Sequence, residues 1–130
     1  MLSKNQIKLI KQLNQKKYRS RNNLFFAEGI KTVNEFIKGG FTVKTLFATE
    51  QYPNNYNVDR IQIISQEELT KISNLKTPNQ VLCVFEIPEE GSLKRNGFTL
   101  VLDEINDPGN LGTIIRLCDW FGADQLVCSK

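Results

Sequence analysis

The sequence contains no histidine among its 130 residues. Within this chain, nucleophilic sites of the Ser-His-Asp or Cys-His type are therefore excluded, and so is the most common metal ligand of proteins. Proton transfer would fall to Asp, Glu, Lys, Tyr, Cys or a group of the substrate. The three cysteines, Cys83, Cys118 and Cys128, stand in apolar strand and helix patterns. This placement predicts small buried thiols and neither a disulfide framework nor a metal site.

Long apolar runs are missing as well. No stretch approaches the length of a membrane-spanning helix, and no apolar segment follows the basic start as a signal peptide would require. With 40% hydrophobic and 24% charged residues, the composition is that of a globular protein. These features predict a cytoplasmic chain without a membrane partner.

Acidic residues are absent from residues 1–21, whereas seven basic residues occur there. These are Lys4, Lys8, Lys11, Lys16, Lys17, Arg19 and Arg21. A basic segment of this kind on a mildly acidic body suggests a polyanionic partner. The dense charge around Tyr18 suits phosphate contacts and one stacked base. For the first three lysines, a solvated helix face is the alternative interpretation.

Alternating strand and helix patterns predict a layered α/β domain over residues 1–88. The predicted strands cover residues 24–27, 43–48, 61–64 and 81–87, and the predicted helices cover residues 4–15, 30–38 and 66–73. The last strand is apolar on both faces and is therefore predicted to be central. Ser65 and Glu68 form a predicted capping box. Residues 89–97, rich in turn formers and charges, are predicted to be a linker.

The sequence pattern of residues 98–130 predicts a strand, a loop, a helix and a second strand. The strands are expected at 98–102 and 125–128, which makes a βαβ unit with the 103–110 loop at the carboxyl end of its first strand. Ligands bind at that edge in open α/β sheets. Asn110 is predicted to cap a helix that runs from Leu111 to about Phe121. Gly122 is predicted to end it.

One residue of this helix stands out for its position on the polar face. Arg116 is expected about a turn and a half from the helix start, where its guanidinium group could bind an anionic oxygen such as a phosphate. The alternative is a solvent-facing arginine that pairs with Asp119 or Asp103.

The segment from Leu102 to Asp124 resembles the first motif of the SpoU/TrmH family of RNA ribose methyltransferases, which belong to the knotted SPOUT superfamily. The matching elements are Asp-Pro-Gly-Asn-Leu-Gly at 107–112, Arg116 six positions after Asn110, and Phe-Gly-Ala at 121–123. Upstream, the Phe-Ala-Glu-Gly sequence at 26–29 resembles part of the family's substrate-recognition domain.

The resemblance implies an α/β protein whose first domain, residues 1–88, is a ribosomal-protein-like substrate-binding domain. Residues 98–130 would then be the first βαβ unit of a SPOUT trefoil-knot methyltransferase domain. The implied activity is S-adenosylmethionine-dependent 2′-O-ribose methylation of rRNA or tRNA, by a full-length enzyme that is a homodimer. The family's cofactor-binding motifs are expected after Lys130, so this chain is expected to be an inactive N-terminal portion that does not bind the cofactor.

The resemblance and the charge pattern together name the candidate site residues. Asn110 and Arg116 are implied as catalytic-motif residues. The predicted RNA-binding residues are Lys16, Lys17, Arg19, Arg21 and Glu28. A non-catalytic RNA-binding module of α/β type is the alternative function. A dinucleotide-binding protein of Rossmann type is disfavoured, because the loop lacks the Gly-x-Gly-x-x-Gly spacing that lets the backbone approach a pyrophosphate.

Overall fold

The computed structural model describes residues 1–129. The chain divides into two compact units, unit 1 (residues 1–89) and unit 2 (residues 90–130). Each unit combines strands with helices, which confirms the predicted α/β class. Among the described residues, no helix has the length and apolar character needed to cross a membrane.

Unit 1 is built on a four-stranded sheet with helices on both faces. Its elements are α1 (Lys4–Gln12), α2 (Lys16–Asn22), β1 (Leu24–Glu28), α3 (Ile30–Lys38), β2 (Val43–Ala48), β3 (Ile61–Ile63), α4 (Gln66–Ile72) and β4 (Val81–Glu86). The strand order is β1-β4-β2-β3. β4 pairs antiparallel with both β1 and β2, and β2 pairs parallel with β3. The prediction that β4 is a central buried strand is confirmed.

The alternating side chains of β4 separate the core into two clusters, as the pleat of a strand requires. Leu82 and Val84 belong to the cluster that packs with α1 and α4. Cys83 and Phe85 belong to the cluster on the other face, with α3. That second cluster includes four aromatic rings in mutual contact, which are Phe25, Phe36, Phe41 and Phe85. Both faces of the sheet are therefore closed by apolar packing.

The N-terminal helix differs from its prediction. α1 ends at Gln12, and a second helix that was not predicted, α2, follows after a short break. Gln15 adopts an extended conformation at this break. α2 buries none of its residues, so its sequence shows no apolar period from which a helix could be inferred.

The predicted capping box of α4 is confirmed. The Ser65 hydroxyl accepts a hydrogen bond from the Glu68 N–H at 3.2 Å, and the Glu68 carboxylate accepts one from the Ser65 N–H at 3.1 Å. A second capping box, formed by Ser3 and Gln6, opens α1. At the end of α3, Gly40 takes a φ of 79°, a conformation that favours glycine.

Unit 2 contains β5 (Thr99–Leu102), α5 (Pro108–Phe121) and β6 (Gln125–Cys128), and its two strands pair in parallel as predicted. Gly122 ends α5 with a φ of 70°, which confirms the predicted stop. No described residue from 90 onward is buried. This follows from the small size of the sheet, since two strands cannot enclose a helix.

The prediction that the three cysteines are buried thiols is confirmed for only one of them. All three thiols are free. Cys83 is buried, and burial raises the pKa of its thiol to about 12. Cys118 is half-buried, and Cys128 is exposed. The prediction of a buried thiol at Cys128 is therefore wrong, because Cys128 ends a strand of an open two-stranded sheet.

Candidate nucleic-acid interface and loop site

The start of α5 carries the first candidate site, and it differs from the prediction. The N-cap is Asp107, whose carboxylate accepts the Asn110 N–H at 2.7 Å, and Pro108 occupies the first helical turn. Gly109 allows this cap, since a Cβ there would lie 3.2 Å from the Asp107 carboxylate. The prediction that Asn110 caps the helix is therefore wrong. Its exposed side chain is not committed to that structural role.

The loop before α5 is shorter than predicted and covers only residues 103–107. Glu104 has a φ of 50°, in the left-handed region that few side chains adopt. Its N–H donates to the Ser129 hydroxyl at 2.7 Å, and its carbonyl accepts from the Asn106 side chain at 3.1 Å. These bonds fix the loop at the carboxyl ends of β5 and β6.

Arg116 lies on the exposed surface of α5. Among residues 1–129, the only ion pair joins Lys38 and Glu35, so Arg116 pairs with neither Asp103 nor Asp119. Because α5 begins at Pro108, Arg116 is eight positions in, about 12 Å along the axis. That is further from the loop than predicted. In an α-helix the Cα–Cβ bonds tilt toward the N-terminus, so the side chain of Arg116 leaves the helix on the side of the loop.

α5 presents much of its apolar surface to solvent. Leu111, Ile114 and Cys118 form the half-buried stripe. On the remaining surface, Trp120 is 82% exposed and Phe121 is 72% exposed. The two strands of unit 2 thus cover only one side of the helix.

The second candidate site is the basic segment of unit 1. Lys16, Lys17 and Arg21 are exposed. Arg19 is different, because its guanidinium group donates to the carbonyl oxygens of Leu13 and Asn14 at 3.0 and 2.9 Å. These carbonyls end α1 and would otherwise lack partners. Arg19 therefore connects α1 to α2, while the other three side chains remain available to a ligand.

Glu28 is brought to the same region by contacts between distant residues. Its carboxylate accepts the Asn74 N–H at 3.1 Å, in the loop after α4. The side chains of Asn74 and Asn14 hydrogen-bond to each other. The Asn14 carbonyl in turn accepts from Arg19. The structure thus links Glu28 to Arg19 through Asn14 and Asn74, two residues that sequence reasoning missed because no local pattern marks them.

A cavity of about 470 Å³ lies at the carboxyl ends of β2 and β3. It is lined by Thr49, Glu50, Gln51, Ile63, Ile64, Ser65, Gln66 and Glu68. The N–H groups of Leu2 and Ser65 donate to the Glu68 carboxylate, and they lower its pKa below the usual range of glutamate. The cavity contains none of the predicted site residues.

The sequence and the fold of the chain are similar to those of known proteins. The model of the MRM3-like substrate-binding domain matches residues 4–83, and that of the SpoU rRNA methylase family matches residues 97–130. A solved TrmH-family protein from Porphyromonas gingivalis is 34% identical, with a TM-score of 0.86 over 98% of this chain and 52% of that one. These matches define an α/β protein of the SpoU/TrmH class. The chain belongs to the SpoU family of rRNA methylases, with an MRM3-like substrate-binding domain.

Two further relatives carry information about activity. The 23S rRNA (guanosine(2553)-2′-O)-methyltransferase RlmP of Bacillus subtilis is 33% identical over 129 residues, which cover 96% of this chain and 52% of that protein. The AdoMet-bound rRNA methyltransferase of Sinorhizobium meliloti is 28% identical, with a TM-score of 0.73 over 98% of this chain and 52% of that one. The chain spans about half the length of these relatives.

Proposed function

We propose that the chain is part of an S-adenosylmethionine-dependent 2′-O-ribose methyltransferase that acts on rRNA. In this proposal residues 1–88 bind the RNA, residues 89–97 link the domains, and residues 98–130 begin the methyltransferase domain. The observation that carries the proposal is the exposed Arg116, without an acidic partner among residues 1–129, on the helix after the loop of β5. The name of the Bacillus subtilis relative supports the choice of ribose oxygen and of rRNA.

The 103–107 loop presents an exposed surface to S-adenosylmethionine. Such a ligand needs a concave pocket that covers most of its surface, whereas four of the five residues of the 103–107 loop are exposed. No described residue is therefore assigned to the cofactor, whose chemical contribution is the methyl group.

The proposed role of Arg116 concerns the ribose hydroxyl. As that hydroxyl attacks a methyl group it loses its proton, and negative charge develops on the oxygen. A guanidinium group stays protonated in proteins and is a poor proton acceptor. Arg116 is therefore proposed to orient a substrate phosphate and to stabilise the developing charge. Asn110, free of the capping role, is proposed to contact the ribose.

A chimera provides the test. Residues 1–129 would replace the matching stretch of the Bacillus subtilis relative, and methyl transfer to rRNA would be measured with labelled cofactor. Arg116→Ala should lower the transfer rate by at least ~100-fold, the scale of losing one group that stabilises transition-state charge. RNA affinity should change much less.

Asp119→Ala is the matched control, because Asp119 is exposed on the same helix. It should leave the rate unchanged. Wild-type turnover by the Arg116→Ala chimera would show that Arg116 is only a surface residue. If the chimera with native Arg116 is inactive, Arg116→Ala and Asp119→Ala would instead be introduced into the gene that encodes this chain, and methyl transfer would be measured with the protein it produces.

A non-catalytic RNA-binding module is the second candidate. It is favoured by the contrast between unit 1, which has a closed core, and unit 2, which has no buried residue among those described. Calorimetric titration of the full-length protein with S-adenosylmethionine separates the two, since only the enzyme binds it. We further propose a cytoplasmic location and a homodimeric full-length enzyme, to be tested by cell fractionation and light scattering.

A further inference from the structure

α2 is held firmly in place although it contributes nothing to the core. None of its seven residues is buried. An isolated helix of this length would not form in water. Its middle is tied to the end of α1 by Arg19, which donates to the carbonyls of Leu13 and Asn14. Its end is fixed by Asn23, whose carbonyl accepts the Ile87 N–H at 2.9 Å and whose side chain donates to the Ile87 carbonyl at 3.3 Å.

A helix held by these bonds, with five of its seven residues exposed, presents its surface to a ligand. Tyr18 itself is half-buried. That surface consists of an aromatic ring with two cations beside it. The ammonium group of Lys17 lies 4.8 Å from the centroid of the Tyr18 ring, and the Arg21 guanidinium carbon lies 5.7 Å from it. Residues 1–21 contain no carboxylate side chain, and neither cation forms an ion pair within the described chain.

The ligand that fits this arrangement carries negative charge and flat aromatic faces together. Unpaired nucleotides have both, because single-stranded RNA exposes the faces of its bases beside its phosphates. A duplex offers only the charge, since its bases stack on one another. An acidic peptide would pair with the cations but gain little from the ring between them.

We propose that α2 forms a subsite for an unpaired nucleotide of RNA, in which the base stacks on Tyr18 and the flanking phosphates contact Lys17 and Arg21. The proposal rests on the proposed function, because it specifies which form of RNA unit 1 recognises. On binding, one of the two cations leaves the face of the ring and moves to a phosphate, and the base takes its place.

The test uses the 130-residue chain and a short unstructured RNA with a terminal fluorophore, alone or annealed to its complement. Fluorescence anisotropy measures both affinities. Tyr18→Leu should weaken single-strand binding by about 5- to 150-fold, the range for the loss of one stacked base. Duplex binding should change little, and so should the salt dependence, since no charge is altered.

Tyr18→Phe is the matched control, because it keeps the ring, and it should bind the single strand like the native chain. Lys17→Gln with Arg21→Gln should lower the slope of log affinity against log salt by roughly 0.7 for each lost phosphate contact. Circular dichroism melting curves establish that each variant is folded.

A second measurement does not depend on the Tyr18→Leu variant. Abasic sites placed one at a time along the RNA should weaken binding of the native chain at one or more positions. Tolerance of every abasic site, or equal single-strand affinity of folded Tyr18→Leu and native chain, would overturn the stacking proposal. Unit 1 would then still bind RNA, but through the attraction of its basic side chains to any polyanion. Failure of the native chain to bind either RNA would overturn the assignment of unit 1 to RNA as well.

Discussion

At the scale of single residues, the assignment of Asp107 and Asn110 decides what the loop site can do. Asp107 takes the capping position of α5, so the side chain of Asn110 is left free on the first turn. The sequence held the signal for this, because Asp is a preferred N-cap and Pro is favoured at the first helical position. The helix was predicted too short because Pro108–Gly109 also fits a turn.

Arg19 gives a prediction that separates an arginine with a structural role from one that is proposed to bind RNA. Arg19→Ala should lower the free energy of unfolding by about 1.5 kcal/mol, the lower end of the range for hydrogen bonds to a charged group, because Arg19 is only half-buried. Urea unfolding followed by far-UV circular dichroism measures the loss.

Arg21→Ala is the control for that experiment. Arg21 is exposed and makes no hydrogen bond that holds α1 to α2, so its replacement should change the unfolding free energy by no more than about 0.5 kcal/mol. The fluorescence of Trp120, the single tryptophan, comes from unit 2 and should be the same in both variants. Equal stability of the Arg19 and Arg21 variants would contradict the structural role of Arg19.

At the scale of elements, the two amino-terminal helices show how far local patterns extend. α1 has a serine cap and an apolar period, from which its existence was predicted, and the structure adds a capping box that was not predicted. α2 has a polar sequence and is held by hydrogen bonds to residues outside it. The sequence shows Tyr18 and the cations beside it as a cluster of charge. That they lie on one helix depends on hydrogen bonds to residues outside the segment.

The capping box of α4 predicts a pH dependence. Hydrogen bonds from the Leu2 and Ser65 N–H groups lower the pKa of Glu68 in the folded chain. The ionised carboxylate therefore stabilises the fold above the unfolded value of about 4.3. That stabilisation is lost as the pH falls through the lower folded-state pKa. Thermal melts between neutral and acidic pH should show a flatter acid limb in Glu68→Gln than in the native chain.

Glu50→Gln serves as the comparison, since Glu50 is exposed beside the same cavity but accepts neither of these hydrogen bonds. Its melting profile should follow that of the native chain. Identical acid limbs for Glu68→Gln and the native chain would mean that the bond between Leu2 and Glu68 does not persist in solution.

At the scale of the whole molecule, the two units differ in how much core they contain. Both apolar clusters consist entirely of residues before Glu86. Unit 2 has parallel strands and a long helix, yet leaves Trp120 and Phe121 largely exposed. Unit 1 thus has the packing of an independent domain, whereas two strands and one helix are marginal by themselves.

Residues 1–89, produced as a separate chain, should therefore fold and unfold cooperatively. Their melting temperature should be close to that of unit 1 within the full chain. Residues 90–130 alone should show no cooperative transition, because no described residue among them is buried. Calorimetry on the two fragments and the full chain measures both. A cooperative transition in the shorter fragment would show that its sheet is stable without further elements.

The sequence by itself determined the features that depend on neighbours in the chain. The Ser65–Glu68 box, the stop at Gly122 and the spacing of Arg116 from Asn110 all lie within a few residues, so local geometry specifies them. Only the tertiary structure decided that Glu28 meets Asn74, 46 positions away, and that Asn74 meets Asn14, 60 positions away. The order of the strands brings these residues together, and hydrogen bonds across such separations leave no periodic trace in the sequence.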